Sequence, residues 1–129
     1  MAQIKIYGLA DKLNPIKVEL SDIIHSAVVA VLQIPIEKRF HRFFPLEPTD
    51  FYYPQDRTEN YLIIEISMFE GRSLSTKKQL IQTIVQKIHD KFNIAVNDIE
   101  ITIFETPKSN WGIRGLAGDE LVLNYKIDV

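Results

Sequence analysis

Leu62-Ile63-Ile64-Glu65-Ile66-Ser67-Met68-Phe69-Glu70-Gly71-Arg72-Ser73 decides the fold. Leu62, Ile64, Ile66 and Met68 alternate with Ile63, Glu65 and Ser67, the period of a half-buried strand over about 60–68. Glu70-Gly71-Arg72-Ser73 is a turn, and Leu80, Ile81, Ile84, Val85, Ile88 and Phe92 then mark one face of a helix over 74–92. Asp98–Phe104 returns as a strand with Ile99, Ile101 and Ile103 on one face. Sixty residues earlier the plan is already present. Ile4, Ile6, Leu20, Ile24, Val28 and Ile34 recur without a gap as Ile64, Ile66, Leu80, Ile84, Ile88 and Ile94.

The first copy reads as a strand over Gln3–Leu9, then a helix opening at Asn14-Pro15. Asn can cap a helix and Pro is tolerated in its first turn. Val18, Leu20, Ile23, Ile24, Ala27, Val28, Val31 and Leu32 are assigned to the inner face of that helix, and Pro35 ends it. Arg39–Leu46 follows as a strand. Repeat one therefore spans about 2–46 and repeat two about 60–106, within a single domain of residues 1–129. A strand–helix–strand crossover joins parallel strands. Two such units predict an α+β fold: a four-stranded mixed sheet with both helices on one face. The other face is left to other copies of the chain, so a closed homo-oligomer is expected. Between the repeats, Pro45–Thr58 is an aromatic, proline-rich connector. The tail Glu120–Ile127, with Leu121, Leu123, Tyr125 and Ile127 alternating, is expected to form an edge strand.

Composition narrows the function classes. The chain of 129 residues is 46% hydrophobic and 25% charged, as ordinary globular proteins are. A net charge of −2 argues against general nucleic-acid affinity, despite the cationic aromatic run Lys38-Arg39-Phe40-His41-Arg42-Phe43-Phe44. There are no cysteines. Disulfides are excluded and a cytoplasmic location is expected. No apolar run reaches the length of about 20 residues that crosses a bilayer, so no membrane partner is expected. His25, His41 and His89 have no metal-ligand spacing, and no phosphate-binding glycine loop or nucleophile elbow occurs. Neither metal nor cofactor is expected.

Phe69-Glu70-Gly71-Arg72-Ser73, with Lys77, Lys78 and Leu80 on the helix behind it, resembles the tautomerase superfamily. The resemblance continues through Phe92-Asn93-Ile94, the strand Asp98–Phe104 and the bend Asn110-Trp111-Gly112-Ile113-Arg114-Gly115. The fused-repeat branch that contains malonate semialdehyde decarboxylase is the most similar. This resemblance implies a homotrimer whose sheets line a central barrel, with an active site beside each amino terminus.

Family chemistry relies on an amino-terminal proline, exposed when the initiator Met is removed. In repeat two its place falls ten residues before Arg72, at Leu62, and the sixty-residue register carries that position back to Ala2. Met before Ala favours Met removal, so the mature chain is expected to begin with Ala2 at the catalytic position. The amine survives without the pyrrolidine ring; the bland alternative is that Ala2 only begins a strand.

Arg72 matches the turn arginine that binds a substrate carboxylate, a task suited to forked donors. Its structural alternative is that it solvates the helix entrance or makes an ion pair with Glu70. Arg39 is a candidate anion contact, Trp111 a candidate wall of the site or packing anchor, and Arg114 a further candidate ligand contact. Two departures count against decarboxylation. Lys38 stands where decarboxylases of the family carry an aspartate, and Glu70 replaces one of their two turn arginines. The second-strand arginine of 4-oxalocrotonate tautomerase falls on Glu100. The expected function is a weak isomerase acting on small keto or enol carboxylic acids; the alternative is a non-catalytic trimer that binds a small anion or has a structural role.

Overall fold

A computed structural model describes the whole chain, residues 1–129. The principal elements are β1 (Ala2–Leu9), α1 (Ala10–Leu13), α2 (Lys17–Leu32), β2 (Phe40–Leu46), β3 (Leu62–Phe69), α3 (Leu74–Phe92) and β4 (Ile99–Thr106). A small hairpin follows, β5 (Gly112–Ile113) and β6 (Leu116–Ala117). The sheet order is β2-β1-β3-β4, parallel at both outer pairs and antiparallel between β1 and β3. This is the four-stranded mixed sheet expected from two fused β-α-β units.

The sixty-residue offset survives in atomic detail. β1 and β3 begin at Ala2 and Leu62, and Ile4 faces Ile66 while Ile6 faces Ile64 across their antiparallel ladder. Leu20, Ile24 and Val28 of α2 and Leu80, Ile84 and Ile88 of α3 join those strand residues in one buried core. Fully burying a side chain of this size contributes roughly 1.5–3 kcal/mol. The helices also end alike, at Gln33 and Asn93, both left-handed with φ of 56° and 55°. A left-handed residue at this position closes a helix by redirecting the chain.

Three local expectations are corrected. The helix does not open at Asn14-Pro15: Asn14 terminates the short α1, and α2 begins at Lys17. Val18 is 74% exposed instead of facing the core. Two positions before Leu20, it lies about 200° around the helix. The tail forms no edge strand. After a 3-10 turn at Gly118–Glu120 it runs irregularly, and Ile127 packs into the notch at Gly71. Its alternation nonetheless reports facing, since Val122, Asn124 and Lys126 are exposed while Ile127 is buried. Alternation specifies which side chains point inward; a ladder also needs a free partner strand, and none lies alongside.

The connector between the repeats is pinned from both ends. Phe51 stacks on Tyr61 at 5.6 Å, and the Asp98 carboxylate accepts the Thr58 backbone N–H and hydroxyl at 2.8 and 2.5 Å. The sheet face away from the helices has no cover. It presents Phe40, 39% exposed, and Phe104, 49% exposed, among polar neighbours such as Lys5, Arg42 and Glu65. No helix is long and apolar enough to cross a membrane.

Candidate active site

The site forms where β1 begins and β3 ends. Antiparallel pairing of Ala2 with Met68 brings the amino terminus beside the turn that follows β3. That turn is built tightly. The Glu70 N–H donates to the Thr106 carbonyl at 2.9 Å, and the Ser73 hydroxyl caps α3 by accepting the Thr76 N–H at 3.1 Å. Gly71 has a φ of +132°, and a Cβ there would meet Ile127 Cγ2 at 2.8 Å. Only glycine combines that backbone with that approach. The tail is therefore locked over the turn, and the Ser73 N–H donates to the Val129 carbonyl at 3.0 Å.

Arg72 is only 4% exposed. Its Nη1 donates one long bond of 3.4 Å to the Phe69 carbonyl, while Nε and Nη2 have no partner. Glu70 is exposed and makes no ion pair with Arg72. Glu105 is near enough to be felt by the guanidinium, but it is engaged by Lys77 at 2.7 Å. Burial pulls the Arg72 pKa downward, partly offset by Tyr125 and Glu105. A buried guanidinium with unused forked donors has the chemistry that pairs with a carboxylate.

The terminal amine of Met1 lies within the field of Arg72 and donates a hydrogen bond to the Tyr125 hydroxyl. Burial, and then the charges of Arg72, Lys38 and Lys108, lower its pKa from 8.0 to about 5. At neutral pH this amine is a free base. Burial raises the Tyr125 pKa, so its phenol remains protonated under the same conditions. Ala2, one residue further in, is 3% exposed. A cavity of about 240 Å³ adjoins the amine, bounded by Met1, Lys38, Arg114, Tyr125, Ile113 and Leu123. No carboxylate lines it.

The other candidates separate. Arg114 borders the cavity at the tip of the β5–β6 hairpin, where Arg114 and Gly115 both have positive φ, 52° and 81°. Such a pair makes the tight two-residue hairpin turn. Trp111 packs edge-on against Phe69 at 5.3 Å, behind the Arg72 turn, and is absent from the cavity lining. Arg39 lies apart from the cavity lining, and its Nη1 pairs with Asp22 of α2 at 2.6 Å. Lys38, Lys108 and Tyr125 were not foreseen as site residues. Lys38 was legible only as a departure from the family aspartate, and Tyr125 was hidden by the reading of the tail as an edge strand.

The α+β sheet of two fused repeats thus sets a terminal amine of depressed pKa within the field of a buried arginine. The family model described as "Tautomerase enzyme" matches residues 38–114, and the chain belongs to that family. The chain is 35% identical over 57 residues to a 2-hydroxymuconate tautomerase of Pseudomonas putida. That match covers 44% of this chain and 90% of that protein, the proportion expected if one repeat here corresponds to one whole chain there. A probable tautomerase of Bacillus subtilis, YusQ, is 22% identical over 98 residues, 72% of this chain and 77% of that one. Among solved structures, native fused 4-OT superposes with a TM-score of 0.81 at 19% identity, over 92% of this chain and 98% of that one. A malonate semialdehyde decarboxylase gives 0.80 at 18% identity, over 93% and 99%. These two likenesses show the fold.

Proposed function

We propose that the chain is a tautomerase that moves protons on small keto or enol carboxylic acids, using its terminal amine as general base. Removal of Met1 leaves the Ala2 amine at the catalytic position, and the space vacated by Met1 enlarges the cavity for substrate. Arg72 lies outside the cavity lining while Met1 is in place; once Met1 is gone, its two unused donors bind the substrate carboxylate bidentately, with Arg114 adding positive charge at the mouth. Trp111 buttresses the Arg72 turn through Phe69. One observation supports this reading: Arg72, buried with two unpartnered nitrogens, is among the charges that, after burial, lower the pKa of the terminal amine, here that of Met1, to about 5. A base of low pKa works at neutral pH because it is already deprotonated.

The test is ketonisation of the enol of phenylpyruvate or of 2-hydroxymuconate, by chains whose amino terminus has been established by mass. Arg72→Ala is expected to weaken carboxylate binding by about 1–3 kcal/mol, the worth of a charged hydrogen bond. Ala2→Pro is expected to raise the rate by restoring a rigid secondary amine. If Ala2→Pro leaves the rate at background and Arg72→Ala changes nothing, the site is not a tautomerase site. A non-catalytic, anion-binding protein is the second reading, favoured by alanine in place of the family proline. Lys38 and Glu70 both argue against carbon dioxide release from malonate semialdehyde.

A homotrimer belongs to the same proposal. The uncovered sheet face, with Phe40 and Phe104 exposed, supports burial against further copies. A monomer at micromolar concentration in sedimentation equilibrium would rule it out.

A further inference from the structure

Arg72 lies beneath the tail of its own chain. We propose that Leu121–Val129 is a strap whose closure withholds Arg72 from small anions, so that a bound carboxylate and the closed strap exclude one another. The inference rests on Arg72 as the anion ligand of the tautomerase reading, and adds the regulation of access to it.

Contacts on both sides of Arg72 define the strap. On one side Ile127 fills the notch at Gly71, where a Cβ would come within 2.8 Å of Ile127 Cγ2. On the other, the Ser73 N–H donates to the Val129 carbonyl at 3.0 Å. Tyr125 lies within the field of the guanidinium, and its hydroxyl accepts a hydrogen bond from the Met1 amine. The segment thus brackets the turn and leaves Arg72 only 4% exposed. Leu121, Leu123 and Tyr125 of the same segment wall the cavity of about 240 Å³ at the amine, and Arg72 is not part of that wall. A solute that enters the cavity therefore does not meet Arg72 while the strap is closed.

Closure is also held weakly. Nε and Nη2 of Arg72 are enclosed without partners. Enclosing donors that water would otherwise satisfy costs free energy that no hydrogen bond returns, and lifting the strap relieves that cost. Past Glu120 the strap has no helix or strand, and Val122 stands 94% exposed. Segments with few buried apolar side chains and no ladder open at low free energy. The Tyr125 fastening is made by the amine of Met1 itself, so removal of that residue removes this bond. An anion that pairs with Arg72 binds only the open state and shifts the population towards it.

The test uses the full chain, its first residue established by intact mass, and phenylglyoxal, which modifies arginine side chains. Rates are read residue by residue through peptide mapping, with Arg39, exposed and on the helix side, as the internal reference. Ile127→Asp is expected to speed modification of Arg72 relative to Arg39 by at least about tenfold, because an unpaired carboxylate in an apolar notch opposes closure. Ile127→Ala should speed it less. Exchange at the Ser73 amide should accelerate in the same order, while the amides of Ile84 and Ile88 within α3 stay protected and show that the fold is intact. Malonate, added to the unsubstituted chain, should protect Arg72 from phenylglyoxal and move the Ile127 methyl signals towards those of a free chain. An Arg72 rate unchanged by both substitutions would overturn the inference. So would malonate that fails to protect Arg72, or that protects it with Ile127 still packed. The two proposals fail separately. Ketonisation by a chain whose strap malonate does not lift removes this inference and leaves the tautomerase reading; a strap lifted by malonate in a chain without ketonisation does the reverse.

Discussion

Replacing Arg72 with methionine is expected to stabilise the fold while abolishing carboxylate binding. Arg72 is 4% exposed, makes one hydrogen bond of 3.4 Å, and leaves Nε and Nη2 unpartnered. A buried donor without a partner costs about 1–3 kcal/mol, whereas one made hydrogen bond contributes about 1 kcal/mol. Methionine is unbranched and flexible enough to follow the same slot, and it buries no polar atom that needs a donor or a charge. Two relieved donors against one lost bond leave a net gain of about 1–5 kcal/mol. In urea, at fixed protein concentration, the unfolding midpoint should rise by about 1 M with an unchanged slope. Malonate at ten times its dissociation constant should stabilise the unsubstituted chain by about 1.4 kcal/mol and the variant not at all. A variant that is less stable than the parent without malonate would refute the reasoning, because Arg72 would then be a structural residue and not a strained ligand.

Gly71→Ala should destabilise by about 1–3 kcal/mol, since the φ of +132° is strained for alanine and the new Cβ would meet Ile127 at 2.8 Å. Hydrogen exchange at the Ser73 amide should accelerate as the tail lifts. A third expectation concerns acid. His41 is half-buried, its Nδ1 lies 2.8 Å from the Ser21 hydroxyl, and burial, then His25 and Arg39, lower its pKa from 6.5 to about 4, against the pull of Asp22. Between those two values the unfolded chain binds the proton and the folded chain does not, so stability is lost as pH falls from 6.5 towards 4. Discounted for its partial exposure, the loss attributable to His41 is about 1–2 kcal/mol. Urea midpoints compared at pH 7 and 4.5, with and without His41→Gln, check it; equal pH dependence in both chains would contradict it.

The sixty-residue repeat made the sheet legible because a strand's inward residues recur at a period of two and a helix's at 3.6, and the two copies reinforce each other. Ile4 with Ile64 and Leu20 with Leu80 needed no structure to be placed in the core. Arg72 was legible for a different reason: the Glu-Gly-Arg-Ser turn has a recognisable form, and Gly71 ties the chain geometry to it. Tyr125 was not, since nothing local in the sequence says that the tail folds back over that turn. The direction of Arg39 was not legible either: it precedes β2, and its partner Asp22 lies on α2, seventeen residues earlier in the chain.

The central claim is that a depressed α-amine and Arg72 form one electrostatic unit, and titration of that amine by NMR in ¹⁵N-labelled protein tests it most directly. Its midpoint should fall far below the usual 7.7–8.0 and climb towards that range in Arg72→Met. A midpoint within the usual range, unmoved by the substitution, would contradict the claim.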